Sequence, residues 1–149
     1  MSRVQLALNV DDLERSVAFY SLLLGAEPAK RRPGYANFAV SEPPLKLVLI
    51  ENPGQGGTLN HLGVEVADTD TVDAEKERLA SHGFATADER ATTCCYATQD
   101  KFWVDNTPDG ERWEVYTVLA DSETFSGDAS DTTCCGQDRV EAPKQAACC

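Results

Sequence analysis

The sequence predicts an α+β fold in which two βαβββ modules lie side by side as one cupped sheet with helices outside. Three observations carry that expectation. The order strand, helix, further strands occurs twice along the chain. Each half opens on a strand that alternates strictly between aliphatic and polar residues. Each opening strand is followed by a helix whose start and end are marked by capping residues. A single such unit cannot bury its aliphatic face, and two adjacent units can.

The first module spans about residues 3–52. From Val4 to Val10, Leu6, Leu8 and Val10 share one face and Gln5, Ala7 and Asn9 the other, the pattern of a half-buried strand. Asp11 or Asp12 is placed to cap a helix over Leu13 to Leu24, with a buried stripe of Leu13, Val17, Tyr20 and Leu24. Gly25 suits its left-handed end. Ala36 to Val40 and Leu45 to Ile50 follow as strands parted by Pro43-Pro44, and residues 52–57 are a loop rich in glycine.

The second module, about residues 58–120, repeats the order. Leu59 to Val66 alternates, with Leu62, Val64 and Val66 against His61, Gly63 and Glu65. A helix is expected over Val72 to Ser81, with Asp70 or Thr71 at its start and Gly83 at its end. Phe84 to Ala87 and Lys101 to Asp105 read as strands, Pro108-Asp109-Gly110 as a turn, and Arg112 to Leu119 as the last strand. Residues 121–149 lose all periodicity and are expected to be a mobile acidic tail.

The 149 residues suffice for one domain with a real core. Acidic residues outnumber basic ones 25 to 13, a net charge of −12 that repels phosphate backbones and anionic membrane surfaces; nucleic acid and membrane are therefore not expected as partners. No apolar run is long enough to cross a bilayer, and the N-terminus lacks a signal peptide, so a cytoplasmic protein is expected, as monomer or homodimer. The six cysteines form three adjacent pairs, Cys94-Cys95, Cys134-Cys135 and Cys148-Cys149. Reduced neighbouring thiols suit neither a structural disulfide nor a spaced zinc site, and point to a soft, thiophilic ligand.

Superposing the two halves sets Gln5 opposite His61, both on the polar face that lines the cup, and the last strand brings Glu114 to the same side. An imidazole, a carboxylate and an amide oxygen with open positions make the type of site that holds ferrous iron. Glu65 is a reserve carboxylate, and His82 is explained by a helix C-terminus. Residues 92–100 read as a flexible loop on which Cys94 and Cys95 can both turn toward one large soft atom. Trivalent arsenic fits, since it binds two sulfurs and keeps its carbon substituent.

These features resemble the vicinal-oxygen-chelate superfamily of glyoxalase I, extradiol dioxygenases and antibiotic resistance proteins. The segment Thr93-Cys94-Cys95-Tyr96-Ala97-Thr98-Gln99-Asp100-Lys101-Phe102-Trp103-Val104, with the opening Asn9 to Tyr20, resembles more narrowly the ArsI-type carbon–arsenic lyases and their cadmium-induced relatives. The resemblance covers residues 1 to about 120. It implies an Fe(II)- and O2-dependent enzyme that cleaves the carbon–arsenic bond of trivalent methyl or aromatic arsenicals and releases arsenite. Gln5, His61 and Glu114 would be its metal ligands, and Cys94 and Cys95 its substrate-binding thiols. The main rival is non-enzymatic sequestration of arsenic or cadmium by the cysteine pairs. The tail pairs either scavenge arsenicals and pass them to the loop or are solvated thiols without a role. A glyoxalase or antibiotic-modifying activity leaves the cysteine pair unexplained.

Overall fold

The computed structural model describes residues 2–84 and 86–127. Ten elements follow in chain order: β1 (Arg3–Val10), α1 (Leu13–Leu24), β2 (Lys30–Arg32), β3 (Tyr35–Val40), β4 (Leu45–Glu51), β5 (Leu59–Glu65), α2 (Thr69–Ser81), β6 (Thr86–Cys94), β7 (Ala97–Val104) and β8 (Trp113–Asp121). The repeat is therefore βαβββ twice. All eight strands join one sheet in the order β2-β3-β4-β1-β5-β8-β7-β6. The modules meet within one chain where β1 pairs antiparallel with β5, and the outer parallel pairings, β1 with β4 and β5 with β8, mirror each other across that seam.

Both helices cover the aliphatic side of the sheet. Leu13 and Val17 of α1 pack with Val10, Ala36, Phe38, Leu47 and Leu49, and Leu6 and Leu8 pack against them. Val72 of α2 packs with Val66, Phe102 and Val115. Burying these side chains leaves the alternate residues of the same strands on the concave side. The concave side is nevertheless buried where it holds a polar core of Gln5, Asn9, Asn37, Lys46, His61, Gln99, Lys101 and Glu114. Helix α1 starts where Asp12 accepts a hydrogen bond from the Arg15 N–H, and it stops at Gly25, whose φ of 62° only glycine adopts without strain.

Several expectations need correction. The cap of α2 is Asp68, which accepts from Thr71 N–H, instead of Asp70 or Thr71; the helix therefore begins at Thr69, and its polar first turn gave no apolar period by which the sequence could mark that start. His82, not Gly83, closes that helix, and its Nδ1 sits 2.8 Å from the Arg78 carbonyl. The strand expected over Phe84 to Ala87 is β6, which runs from Thr86 to Cys94. Residues 92–100 are no loop but the end of β6, a two-residue turn and the start of β7. Short β2 had no apolar alternation to betray it. Cys134, Cys135, Cys148 and Cys149 lie outside the described residues. Among the described residues no helix is long and apolar enough to cross a membrane.

Candidate metal and thiol site

Register at the seam decides what converges. Gln5 is paired with Gly63, and Gly63 with Glu114, so the three lie in one row across β1, β5 and β8. His61 stands two residues back from Gly63 on the same face. A side chain at 63 would occupy the space where its neighbours lean together: a Cβ there would come within 3.2 Å of Glu114 Cγ, 3.3 Å of Gln5 Cβ and 3.3 Å of Tyr116 Cε1. The missing side chain lets Gln5 and Glu114 close over the strand between them.

The resulting contacts are short and buried. Gln5 Nε2 lies 2.9 Å from both His61 Nε2 and Glu114 Oε1, and the last two are 3.4 Å apart. His61, Glu114 and Gln5 are 1%, 3% and 4% exposed. Neighbouring donor atoms on one face of an octahedral ion with bonds of about 2.1 Å are about 3 Å apart, close to the 3.4 Å between His61 Nε2 and Glu114 Oε1. Among the described residues no three His, Cys, Asp or Glu side chains gather as a metal site. Here only two of the three candidate ligands are of those types, the third being an amide.

The imidazole is turned for ligation. The β1–β5 pairing slips between Ala7–His61 and Leu8–Leu59, leaving Asn60 as an extra, bulged residue. Asn60 Oδ1 is 2.7 Å from His61 Nδ1 and accepts its proton, which leaves the Nε2 lone pair pointing into the cup. Asn60 in turn donates to Asn9, and Asn9 to Thr58, so the ring orientation is anchored in the loop before β5. Trp103 meets the ring edge-on at 5.6 Å.

Glu114 is held as a carboxylate. Burial alone would push its carboxyl up, but Lys101 and His61 overcome this and lower it to about 2. The Lys101 ammonium is fully buried, 3.1 Å from Glu114 Oε2 and 3.5 Å from Glu89 Oε2, and 4.7 Å from the Trp103 ring centre. Lys101 thus takes one Glu114 oxygen and leaves Oε1 to the cup. On the far side, Tyr116 donates toward Gln5 Oε1 at 2.6 Å and Glu65 Oε2 at 2.8 Å. Burial and the nearby Glu65 and Glu114 carboxylates raise its hydroxyl well above its ordinary value, so it stays protonated. Glu65, expected as a reserve ligand, is occupied by Arg3, Lys46 and Tyr116.

Cys94 and Cys95 sit at the β6–β7 hairpin. Cys94 pairs with Ala97, and the two turn residues, Cys95 and Tyr96, have φ of 54° and 61°. That sign pattern belongs to a type I′ turn, which normally takes Asn or Gly; Cys and Tyr there are strained, and such strain is found where function requires it. The turn breaks the alternation of a strand, so neighbouring side chains come together and the sulfurs stand 3.4 Å apart. Cys95 keeps a free thiol and Cys94 is disulfide-bonded, against the expectation of reduced pairs. Tyr96 folds back onto Ala7, Tyr35 and Val48, and Cys95 and Phe125 pack against the same cluster. Ala7 follows Gln5 on the concave face and pairs with His61. The hairpin therefore packs in one cluster with Ala7 of β1, the strand that also carries Gln5. It is clamped in place: the Tyr96 carbonyl accepts from Lys30 Nζ at 2.8 Å and Ser122 N–H at 3.0 Å, and Gln99 Nε2 donates to the Cys94 carbonyl.

Comparison with known proteins agrees with this picture. The sequence profile of the Glyoxalase/Bleomycin resistance protein/Dioxygenase superfamily matches residues 3–115. A cadmium-induced protein, CadI, of Mycobacterium bovis is 68% identical over 138 residues, covering 92% of this chain and 90% of the relative. A trivalent organoarsenical cleaving enzyme of Thermomonospora curvata is 59% identical over 136 residues, covering 91% and 89%. Among solved structures, a Mn(II)-bound glyoxalase from Novosphingobium aromaticivorans shares the fold with a TM-score of 0.58 at 21% identity, over 89% of this chain and 44% of that one.

Two outcomes check the site geometry. Gly63→Val should destabilise the protein by about 1–3 kcal/mol, read from its urea midpoint, because its branches have no room between Gln5 and Glu114. Glu114 is lowered on folding, so its contribution to stability is complete above pH 4.5 and lost as pH falls toward 2. Across that window wild-type stability should fall more steeply with acid than that of Glu114→Gln.

Proposed function

The chain belongs to the Glyoxalase/Bleomycin resistance protein/Dioxygenase superfamily, and from that premise we propose that it cleaves the carbon–arsenic bond of trivalent methyl or aromatic arsenicals and releases arsenite, with Fe(II) as metal and O2 as co-substrate. One observation carries the reading. A buried imidazole, carboxylate and amide meet in one cup, and a strained turn that brings two sulfurs to 3.4 Å packs in one cluster with Ala7, the residue paired with His61. A relative that shares 59% of its residues is named for cleaving trivalent organoarsenicals.

Each element has a part. With Cys94 reduced, the two thiols displace two hydroxyls from arsenic, forming two As–S bonds and releasing two waters, and the As–C bond is kept. The clamped hairpin then presents the carbon substituent to the cup as a docked element, where the sequence predicted a flexible loop. His61, Glu114 and Gln5 would hold Fe(II), which when bound supplies the electrons that activate O2 for attack at the As–C bond. Lys101 balances the Glu114 charge, and the aromatic packing of Tyr35, Tyr96 and Phe125 excludes water beside the hairpin.

A second reading is sequestration of cadmium or arsenic by the thiols, favoured by the 68% identity to a protein named for induction by cadmium. Oxygen separates the two. Reduced protein, loaded with Fe(II) without air and given a trivalent arylarsenical, should return the arsenical intact until air is admitted and then release arsenite. His61→Ala should lose release and keep arsenical binding, and Cys94→Ser with Cys95→Ser should lose arsenical binding and keep iron. Intact arsenical after aeration leaves only the thiol binder, and turnover that survives loss of both cysteines refutes the proposed capture step.

A further inference from the structure

The Gln5 amide faces the wrong way to bind a cation. Its nitrogen, which has no lone pair to give, points at His61 Nε2 and Glu114 Oε1, and its oxygen accepts from the Tyr116 hydroxyl at 2.6 Å. To become a ligand the amide must turn over, which sends Nε2 to where Oε1 now lies. That nitrogen needs an acceptor there, in a region where Gln5 and Tyr116 are both buried. A buried amide N–H without a partner opposes the turn.

Tyr116 is placed to accept. Its hydroxyl has one proton and two neighbours that want it, Gln5 Oε1 and Glu65 Oε2, the latter at 2.8 Å. Glu65 is fixed by Arg3 at 2.8 Å and by Lys46 at 3.1 Å, and Lys46 Nζ also donates to the Tyr116 oxygen at 3.1 Å. With Gln5 as it stands, the proton serves Gln5 Oε1. With the amide turned, the same proton serves Glu65, and the phenol oxygen accepts from Gln5 Nε2 and Lys46 Nζ. The Tyr116 hydroxyl, Lys46 and one of the two Gln5 amide hydrogens keep an acceptor in both arrangements, and no proton leaves the hydroxyl.

We propose that Tyr116, backed by Glu65 and Lys46, is a positioning residue whose hydroxyl changes from donor to acceptor and so lets Gln5 turn its amide oxygen toward a divalent cation. The proposal rests on the reading of Gln5 as a ligand and adds the group that makes an amide serviceable there. The Asn60–Asn9–Thr58 chain orients His61, and the Tyr116–Glu65–Lys46 network does the corresponding work at Gln5.

The test is Mn(II) binding to the full-length reduced protein by titration calorimetry, since a hard cation ignores the thiols. Tyr116→Phe should weaken binding roughly 10–100-fold in the wild-type background. In a Gln5→Ala background, already weakened, it should cost no more than about twofold, since no amide is left to orient. An equal loss in both backgrounds, or none in either, overturns the proposal while leaving the metal site in place. Gln5→Ala binding as tightly as wild type, with His61→Ala not binding, removes Gln5 from the ligand set and the proposal with it. A measurement on the unmutated protein guards against misfolded variants: the Gln5 side-chain amide resonance, followed by NMR during Mg(II) titration, should shift as the His61 resonances do. A stationary Gln5 amide beside a moving His61 overturns the proposal.

Discussion

The antiparallel seam between β1 and β5 is the constraint on which the molecule depends. It joins the two modules into one sheet, and its register decides which side chains share the cup. A slip of one residue would send Gln5 and His61 to the helix-covered face and bring Leu6 and Leu62 inward. Aliphatic burial under α1 and α2 forbids that slip, so the hydrophobic side of the sheet enforces the polar side. The Asn60 bulge then adjusts the seam locally, at the residue beside the imidazole and at no other seam position.

Charge in the cup is arranged to hold one buried carboxylate ionised. Glu114 is buried between Lys101 and His61, and Glu65 between Lys46 and Arg3. Glu114 is thus matched by the Lys101 ammonium and Glu65 by Lys46 and Arg3, and the Tyr116 hydroxyl joins the two groups through Gln5. Removing one member of such a buried pair leaves an uncompensated charge, so these residues constrain one another as much as they constrain a ligand. The thiol hairpin is built on the opposite principle. It accepts two residues in left-handed conformation, and it is held by contacts to Lys30, Ser122 and the Tyr35 cluster from outside its own strands.

Much of this was legible in the residues. Alternation in β1 and β5 named the concave face, and the repeat placed Gln5 against His61; the resemblance of residues 93–104 to arsenic-active proteins supplied the meaning of the thiol pair. What stayed hidden is the part that depends on register and not on residue type. Gly63 read only as one member of the polar face, Asn60 drew no notice, and Lys101 read only as the start of a short strand, whereas it is fully buried. Residues 92–100 read as a loop because Thr, Gln and Asp dominate them, and the turn at Cys95-Tyr96 carries none of the glycine or asparagine that announces a hairpin. Strained turns escape composition by their nature.

The central claim is that the cation is held by nitrogen and oxygen from the cup while sulfur is reserved for the substrate. X-ray absorption at the iron edge of the Fe(II)-loaded, reduced protein tests it directly. The account predicts a first shell of nitrogen and oxygen at about 2.1 Å with no sulfur, lost in His61→Ala and intact in the double cysteine variant. Iron–sulfur scattering at about 2.3 Å that vanishes with Cys94 and Cys95 would contradict it.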